Sequence, residues 1–372
     1  MKKGASKMLD FIEARQDVWQ TLQLTDKPVV LYGMGNGADQ IIDWCDSHKV
    51  EVAGVFASDE FVRGQVFRGY RVETYDAVKE RLGDFLLVIA FASESPAVLQ
   101  RFQELSLLHE TVAPHLPLFP GDETVSFDWL QRHRQELQQV YDKLADDWSR
   151  KVFAAALNYK LSGKLHYLWQ SDTERLEDLQ NIFSWSETET YADLGAYNGD
   201  TIREFLQLTD SKYNKIFAAE PDRRNYKKLA AYVEASGLTN IKIFERAIWK
   251  ECTELAFSDS GGRQSTLLAG QRRTVQAADI DTLLQGERAT YIKMDVEGAE
   301  LEALVGGSEQ IRLNRPKLFI AAYHHDVDMF LLPLFLWRLV PEYKVYLRKH
   351  PYVPAWELNF LVTLYSGTLK IP

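Results

Sequence analysis

The sequence is poor in cysteine and proline and has no excess of basic residues. Its two cysteines, Cys45 and Cys252, lie too far apart to suggest a disulfide framework or a cysteine-rich zinc site, so we expect reduced thiols in a cytoplasmic protein. With 12 prolines and 46% hydrophobic residues, the chain is neither collagen-like nor disordered. Its 43 basic and 53 acidic residues give a net charge of -10, which offers no general attraction for a nucleic-acid backbone.

Long hydrophobic runs are also missing. The most apolar stretch, residues 329–340, is interrupted by Pro333 and Arg338 and is too short to cross a bilayer. Near the start of the chain, Asp10 and Glu13 fall where the apolar part of a signal peptide would have to lie. We therefore expect a soluble intracellular protein, and its 372 residues predict about two domains.

The first 124 residues have the pattern of a small α/β domain. An apolar strand starting at Val29 breaks into a turn with three glycines, a helical pattern follows, and a second strand covers 50–56. Asp59 comes roughly where an acid that binds ribose would lie. The turn, Gly-Met-Gly-Asn-Gly from Gly33 to Gly37, makes the domain similar to the N-terminal domains of bacterial sugar O-acyltransferases. Two interpretations stay open: a nucleotide-sugar pocket, or a degenerate Rossmann-like domain used for packing or for a homodimer.

Helical spacing of apolar residues continues to about Leu161, where Gly163 interrupts it, and predicts a helical connector over 125–185. Beyond residue 185 strands alternate with helices again, and the chain closes with two strands at 343–347 and 358–365. An alternating α/β sheet that ends in an antiparallel β pair is the outline of a class I S-adenosylmethionine methyltransferase. The prediction is thus an α/β protein with two Rossmann-like domains, the second over 186–372.

A second glycine turn follows the first strand of that domain. Gly195 and Gly199 let the backbone turn tightly and approach a ligand. Asp193 and Asp200 would repel a pyrophosphate and instead suit a ligand with an ammonium group. Glu220 ends the next strand about 20 residues later, where a carboxylate can accept hydrogen bonds from ribose hydroxyls.

The run Tyr-Ile-Lys-Met-Asp-Val-Glu-Gly-Ala-Glu from Tyr291 resembles the FkbM-type methyltransferase family, as do the Asp-Leu-Gly-Ala-Tyr-Asn-Gly-Asp turn, Glu-Pro-Asp and Tyr-His-His. The resemblance implies S-adenosylmethionine as methyl donor and an oxygen acceptor on a sugar, glycan or secondary metabolite. The residues that the resemblance assigns to the donor are Asp193, Gly195 and Gly199 around its methionine part, Glu220 on its ribose, and Arg246 and Ala247 beside its adenine.

Three residues are candidates for activating the acceptor hydroxyl, which must lose a proton: Asp295, Glu297 and His324. Glu297 has an alternative interpretation as an acid that stabilises the first turn of a helix over 298–305. Because adjacent histidines on an extended segment point in opposite directions, at most one of His324 and His325 faces the site. We favour a neutral His324 as the base. A divalent metal on Asp295, His324 and a further carboxylate is the less favoured alternative.

Residues 258–274 contain glycines and three arginines, and could close over an anionic acceptor, although a solvated loop is the favoured interpretation. Two other functions compete with methyl transfer. One is a nucleotide-sugar or dinucleotide enzyme that acts through the N-terminal domain, and the other is a binding protein without catalytic activity.

Overall fold

The computed structural model describes residues 9–258 and 272–364. These residues divide into two units. The N-terminal unit comprises residues 9–138, 151–172 and 349–357, and the C-terminal unit comprises the remaining described residues. Within the described residues, no helix is both long and apolar enough to span a membrane.

The N-terminal unit is built on a six-stranded sheet in the order β3-β4-β2-β1-β5-β6, in which β3 alone pairs antiparallel with its neighbour. Its elements, together with the helices that follow up to residue 182, are α1 (Val18–Leu24), β1 (Val29–Tyr32), α2 (Asn36–His48), β2 (Val52–Phe56), β3 (Val66–Phe67), β4 (Tyr70–Glu73), α3 (Tyr75–Leu82), β5 (Leu86–Ile89), α4 (Pro96–Leu108), β6 (Thr111–Val112), α5 (Phe127–Arg132), α6 (Arg134–Lys143), α7 (Asp147–Ser162), α8 (His166–Trp169) and α9 (Arg175–Ile182).

Both faces of this sheet are buried. Val30 and Tyr32 of β1 pack into one hydrophobic cluster, whereas Val29 and Leu31 of the same strand pack into another. Burial on both faces explains why the sequence of β1 is apolar without alternation, as is usual for parallel strands.

The C-terminal unit contains a seven-stranded mixed sheet in the order β15-β16-β14-β13-β7-β8-β9 and a three-stranded sheet in the order β10-β12-β11. Its elements after α9 are β7 (Thr190–Leu194), α10 (Asp200–Leu208), β8 (Lys215–Ala219), α11 (Arg223–Ser236), β9 (Ile241–Phe244), β10 (Ala247–Ile248), β11 (Thr253–Ser258), β12 (Arg272–Ala278), α12 (Ile280–Leu283), β13 (Tyr291–Met294), α13 (Glu300–Gly306), α14 (Ser308–Asn314), β14 (Lys317–Ala321), α15 (Asp328–Leu339), β15 (Lys344–Lys349) and β16 (Leu358–Thr363).

Strands β7, β8, β9, β13 and β14 run parallel, and β16 runs antiparallel to β14. The last two strands of the chain are neighbours in the sheet, as the sequence predicted. The carboxyl ends of β7, β8, β13 and β14 therefore lie at one edge, which is where ligands bind in open α/β sheets.

The two units divide the chain differently from the predicted domain boundaries. The expected connector, 125–185, contains helices but forms no separate unit, because the two ends of α7 belong to different units. At its start, Ser149 and Asp146 accept hydrogen bonds from Arg348 at 2.9 and 3.3 Å. Further along, the side-chain Oδ1 of Asn158 accepts from the backbone N–H of Glu13 at 2.7 Å. Apolar spacing marks a buried helix but does not say which core buries it.

The segment predicted to be an arginine-containing loop, 258–274, includes strand residues at both of its ends. Ser258 and Arg272 form the last antiparallel pair of β11 and β12, so the segment connects two strands of the three-stranded sheet. Residues 259–271, and with them Arg263, lie outside the described residues.

Candidate active site

Backbone hydrogen bonds bring the second glycine turn, Glu220 and Asp295 to the same sheet edge. The N–H groups of Gly195 and Ala196 both donate to the carbonyl oxygen of Ala219, at 3.0 Å each. The N–H of Asp295 donates to the carbonyl oxygen of Leu194 at 3.0 Å. The carboxyl ends of β7, β8 and β13 are thus held together directly behind the predicted site.

Asp193, at the end of β7, is enclosed by other residues of the protein. It is fully buried, accepts a 2.6 Å hydrogen bond from the Thr201 hydroxyl, and lies 3.5 Å from the ammonium of Lys293. Lys293 also donates to the carbonyl oxygen of Gly195 at 2.6 Å. Asp193 is thus paired within the protein, and with Lys293 it fixes the turn. Its contact with a ligand ammonium stays a prediction.

The two glycines of the turn are required by protein contacts. Both adopt positive φ, +84° for Gly195 and +83° for Gly199. A Cβ on Gly195 would overlap the carbonyl oxygen of Asp295, and one on Gly199 would lie 2.6 Å from the Tyr232 ring. Both were expected from the sequence to allow a tight turn and the approach of a ligand. Asp200 is exposed, and its carboxylate accepts from the N–H of Thr201 at 2.9 Å.

Glu220 places a buried carboxylate immediately after β8. One of its oxygens accepts from the N–H of Tyr197 and the other from the N–H of Asp222, both at 2.8 Å. Burial raises the pKa of Glu220 to about 7, although both backbone hydrogen bonds act in the opposite direction. Each oxygen still has a lone pair that could accept a hydrogen bond from a ligand hydroxyl.

The two residues expected beside an adenine differ in exposure. Ala247 is buried in β10, where it pairs with Ala277. Arg246 directly precedes it and is exposed.

Three acidic residues surround His324, which lies three residues beyond β14 and is 3% exposed. Its Nε2 is 3.4 Å from a Glu297 oxygen and 3.6 Å from a carboxylate oxygen of Asp295. Its Nδ1 is 3.1 Å from a carboxylate oxygen of Glu300. The Tyr323 hydroxyl donates to Asp295 at 3.2 Å. The structure therefore brings Asp295, Glu297 and His324 together, as the sequence analysis required, and adds Glu300.

The carboxylates around His324 act against the neutral form that was expected from the sequence, which stays a prediction. Burial by itself would lower the pKa of His324, but Glu300 and Glu297 outweigh it and raise the pKa well above its usual value. The carboxylates of Glu300 and Glu297 therefore favour the protonated form of the imidazole over the neutral form. An imidazolium cannot accept the proton of an acceptor hydroxyl.

Glu297 is not part of a helix, so its alternative interpretation is also corrected. Its φ is +56°, a left-handed conformation that is uncommon for a non-glycine residue, and α13 begins only at Glu300. The acid in the first turn is therefore Glu300, whose Oε1 accepts from the N–H of Val296 at 2.9 Å. The spacing of acids in the run from Asp295 was the only signal for Glu300. His325 points elsewhere, with Nε2 3.1 Å from the Gly298 carbonyl oxygen.

Comparison with known proteins places this site in a recognised domain. Residues 193–353 match the family model of the methyltransferase FkbM domain. The resemblance seen in the motifs is confirmed for these residues. Among curated proteins no significant match to the chain is found.

Solved structures show which fold the chain has. It is similar to the FkbM methyltransferase from Methylobacillus flagellatus KT, with a TM-score of 0.71 and 20% identity over 90% of each chain. This likeness shows a methyltransferase-like α/β fold. An rRNA methylase from Streptococcus thermophilus covers only 50% of this chain and 92% of its own, with a TM-score of 0.33 and 12% identity.

The glycine turn of the N-terminal unit is partly filled by the protein itself. A Cβ on Gly33 would lie 2.5 Å from the Phe91 ring, and one on Gly37 would lie 2.5 Å from the Ala90 carbonyl oxygen, whereas Gly35 has open space. Asp59, at the position expected for a ribose-binding acid, is exposed in a short 3-10 helix three residues beyond β2.

Proposed function

We propose that the chain is an S-adenosylmethionine-dependent methyltransferase that methylates a hydroxyl oxygen of a sugar, glycan or secondary metabolite. The observation that carries the proposal is the buried Glu220 carboxylate at the end of β8, beside the glycine turn of β7, inside the residues that match the FkbM model. Ribose hydroxyls are donors, and a carboxylate that keeps free lone pairs is the acceptor they need.

The donor would lie along the carboxyl ends of β7 and β8. Glu220 would hold its ribose, and the backbone of Gly195 and Gly199 would approach its methionine part, with Asp193 supporting that turn from behind. The exposed Asp200 is the carboxylate available to a ligand ammonium.

Arg246 and Ala247, just past β9, would flank the adenine. When bound, S-adenosylmethionine supplies an electrophilic methyl group.

On the acceptor side, we propose that Asp295, Glu297 and His324 surround the reacting hydroxyl. Asp295 and Glu297 are partly open to solvent, with side chains 33% and 34% exposed, whereas His324 is enclosed behind them. An acceptor can therefore reach the two carboxylates from outside. Holding it there at attack distance would account for several kcal/mol of catalysis.

The test is calorimetric titration of the full chain with S-adenosylhomocysteine. Wild-type protein should bind it in the micromolar range, and Glu220→Ala should bind about 10-fold or more weakly through loss of its charged hydrogen bonds. Glu234→Ala, an exposed acid on α11, is the matched control and should bind like the wild type. Equal affinity in all three proteins would contradict the Glu220 assignment, and binding of a nucleotide sugar or NAD in place of S-adenosylhomocysteine would favour the rival enzyme.

A further inference from the structure

The group around His324 has the ligand atoms of a metal site. One atom each from Asp295, Glu300 and His324 lie within 4.8 Å of one another. We propose that these three residues bind one divalent metal ion, which activates the acceptor hydroxyl. The catalytic part of this inference rests on the proposed methyltransferase function, whereas the metal binding does not.

Unsatisfied buried atoms support the proposal independently of the acidic cluster. Neither ring nitrogen of His324 makes a hydrogen bond to the described chain, and Oε2 of Glu300 makes none either. His324 is 3% exposed and Glu300 is 1% exposed. Buried polar atoms are nearly always satisfied, so these atoms point to a missing partner within the cluster.

The distances also fit ligands that share an ion better than groups that bond to each other. Two ligand atoms, each about 2.1 Å from one ion and separated by roughly 90–120°, lie about 3.0–3.6 Å apart and off the axis of any N–H bond. The His324 ring is 3.6 Å from Asp295 through Nε2 and 3.1 Å from Glu300 through Nδ1, yet neither nitrogen makes a hydrogen bond to the described residues.

Charge and access agree with this interpretation. Three carboxylates around one imidazole concentrate negative charge that a divalent ion would balance. One imidazole with carboxylate oxygens suits an ion such as Mn²⁺. The partial exposure of Asp295 leaves a side where an acceptor hydroxyl could join the ion. There the ion would lower the pKa of that hydroxyl, and its proton would leave to solvent.

The experiment titrates the full chain, stripped with EDTA and desalted, with MnCl₂ while free Mn²⁺ is followed by electron paramagnetic resonance. Wild-type protein should bind one Mn²⁺ per chain. Glu300→Gln and Asp295→Asn should each bind Mn²⁺ about 10-fold or more weakly than the wild type. Asp295 is partly exposed, so its variant still tests the site if the buried Glu300→Gln fails to fold. Glu302→Gln, on the same helix but outside the cluster, should bind like the wild type.

Calorimetry with S-adenosylhomocysteine on the same samples separates the two proposals. If the wild type shows no saturable Mn²⁺ binding, or if both ligand variants bind Mn²⁺ as the wild type does, the metal site is overturned, and retained S-adenosylhomocysteine binding leaves the proposed function standing. Saturable Mn²⁺ binding that the ligand variants lose, without any S-adenosylhomocysteine binding, supports the metal site and contradicts the methyltransferase.

Discussion

Replacing Glu220 with glutamine removes a titrating group while keeping its shape, and so tests the electrostatics at the carboxyl end of β8 without any ligand. The amide oxygen can accept from only one of the two N–H groups that Glu220 now satisfies, those of Tyr197 and Asp222. The lost bond costs about 1–3 kcal/mol at every pH. At low pH we therefore expect Glu220→Gln to be less stable than the wild type.

The difference in stability between Glu220→Gln and the wild type should become smaller as the pH rises. Burial raises the pKa of Glu220 from 4.5 to about 7, so between these values the folded state keeps a proton that the unfolded state has lost. The stability that this proton contributes is fully present below pH 4.5 and is lost as the pH rises through 7. The pKa of Glu220 is about 2.5 higher in the folded state than in the unfolded state, which corresponds to about 3 kcal/mol of stability. The wild type loses this stability as the pH rises, and the glutamine variant does not.

Urea unfolding of both proteins between pH 4.5 and 9 measures this change, using the transition of the C-terminal unit if the two units unfold separately. The exposed Glu234→Gln serves as the control and should differ from the wild type equally at every pH. A stability difference between Glu220→Gln and the wild type that does not vary with pH would refute the buried, protonated carboxyl. A change of the opposite sign would mean that the two backbone hydrogen bonds outweigh burial.

Two further predictions concern the contacts behind the glycine turn. Lys293→Met should lower the free energy of unfolding of the C-terminal unit by about 3–5 kcal/mol, because it leaves the buried Asp193 charge without its cation. Adding Asp193→Asn to the same chain should restore part of that loss, as measured by urea unfolding. Gly195→Ala should cost clearly more than the roughly 1–2 kcal/mol of Gly237→Ala, since both have positive φ but only Gly195 faces a backbone carbonyl. An equal loss of stability in Gly195→Ala and Gly237→Ala would show that the turn shifts to accommodate the added Cβ.

The secondary structure of both α/β regions followed from the sequence, whereas the assignment of segments to units did not. Apolar runs and glycine turns located β1, β2 and β5, and the seven strands of the larger C-terminal sheet, because strands buried on both faces leave a local pattern. They did not locate the three-stranded sheet of β10, β11 and β12. Residues 349–357 belong to the N-terminal unit, but no local sequence pattern indicates this. The unit that a segment joins is decided by contacts with residues distant in sequence. A truncation near residue 125 would for this reason cut through one unit.

The site could be predicted as a set of positions but not as a set of interactions. Strand ends and the family motif located Asp295, Glu297 and His324. Lys293 was missed because a lysine inside an apolar strand gives no sign of its partner. Glu300 was missed because an acid in a first helical turn has an ordinary explanation in the helix dipole.

The contacts of Lys293 connect the glycine turn that follows β7 to Asp295 at the end of β13. Lys293 and Asp193 face each other in register on β13 and β7, and Lys293 also donates to the Gly195 carbonyl oxygen. Asp295 lies two residues beyond Lys293, and its carbonyl occupies the space that a side chain on Gly195 would need. A change at Lys293 should therefore displace both the turn and Asp295. A change at Glu220, whose hydrogen bonds run to Tyr197 and Asp222, should leave Asp295 in place.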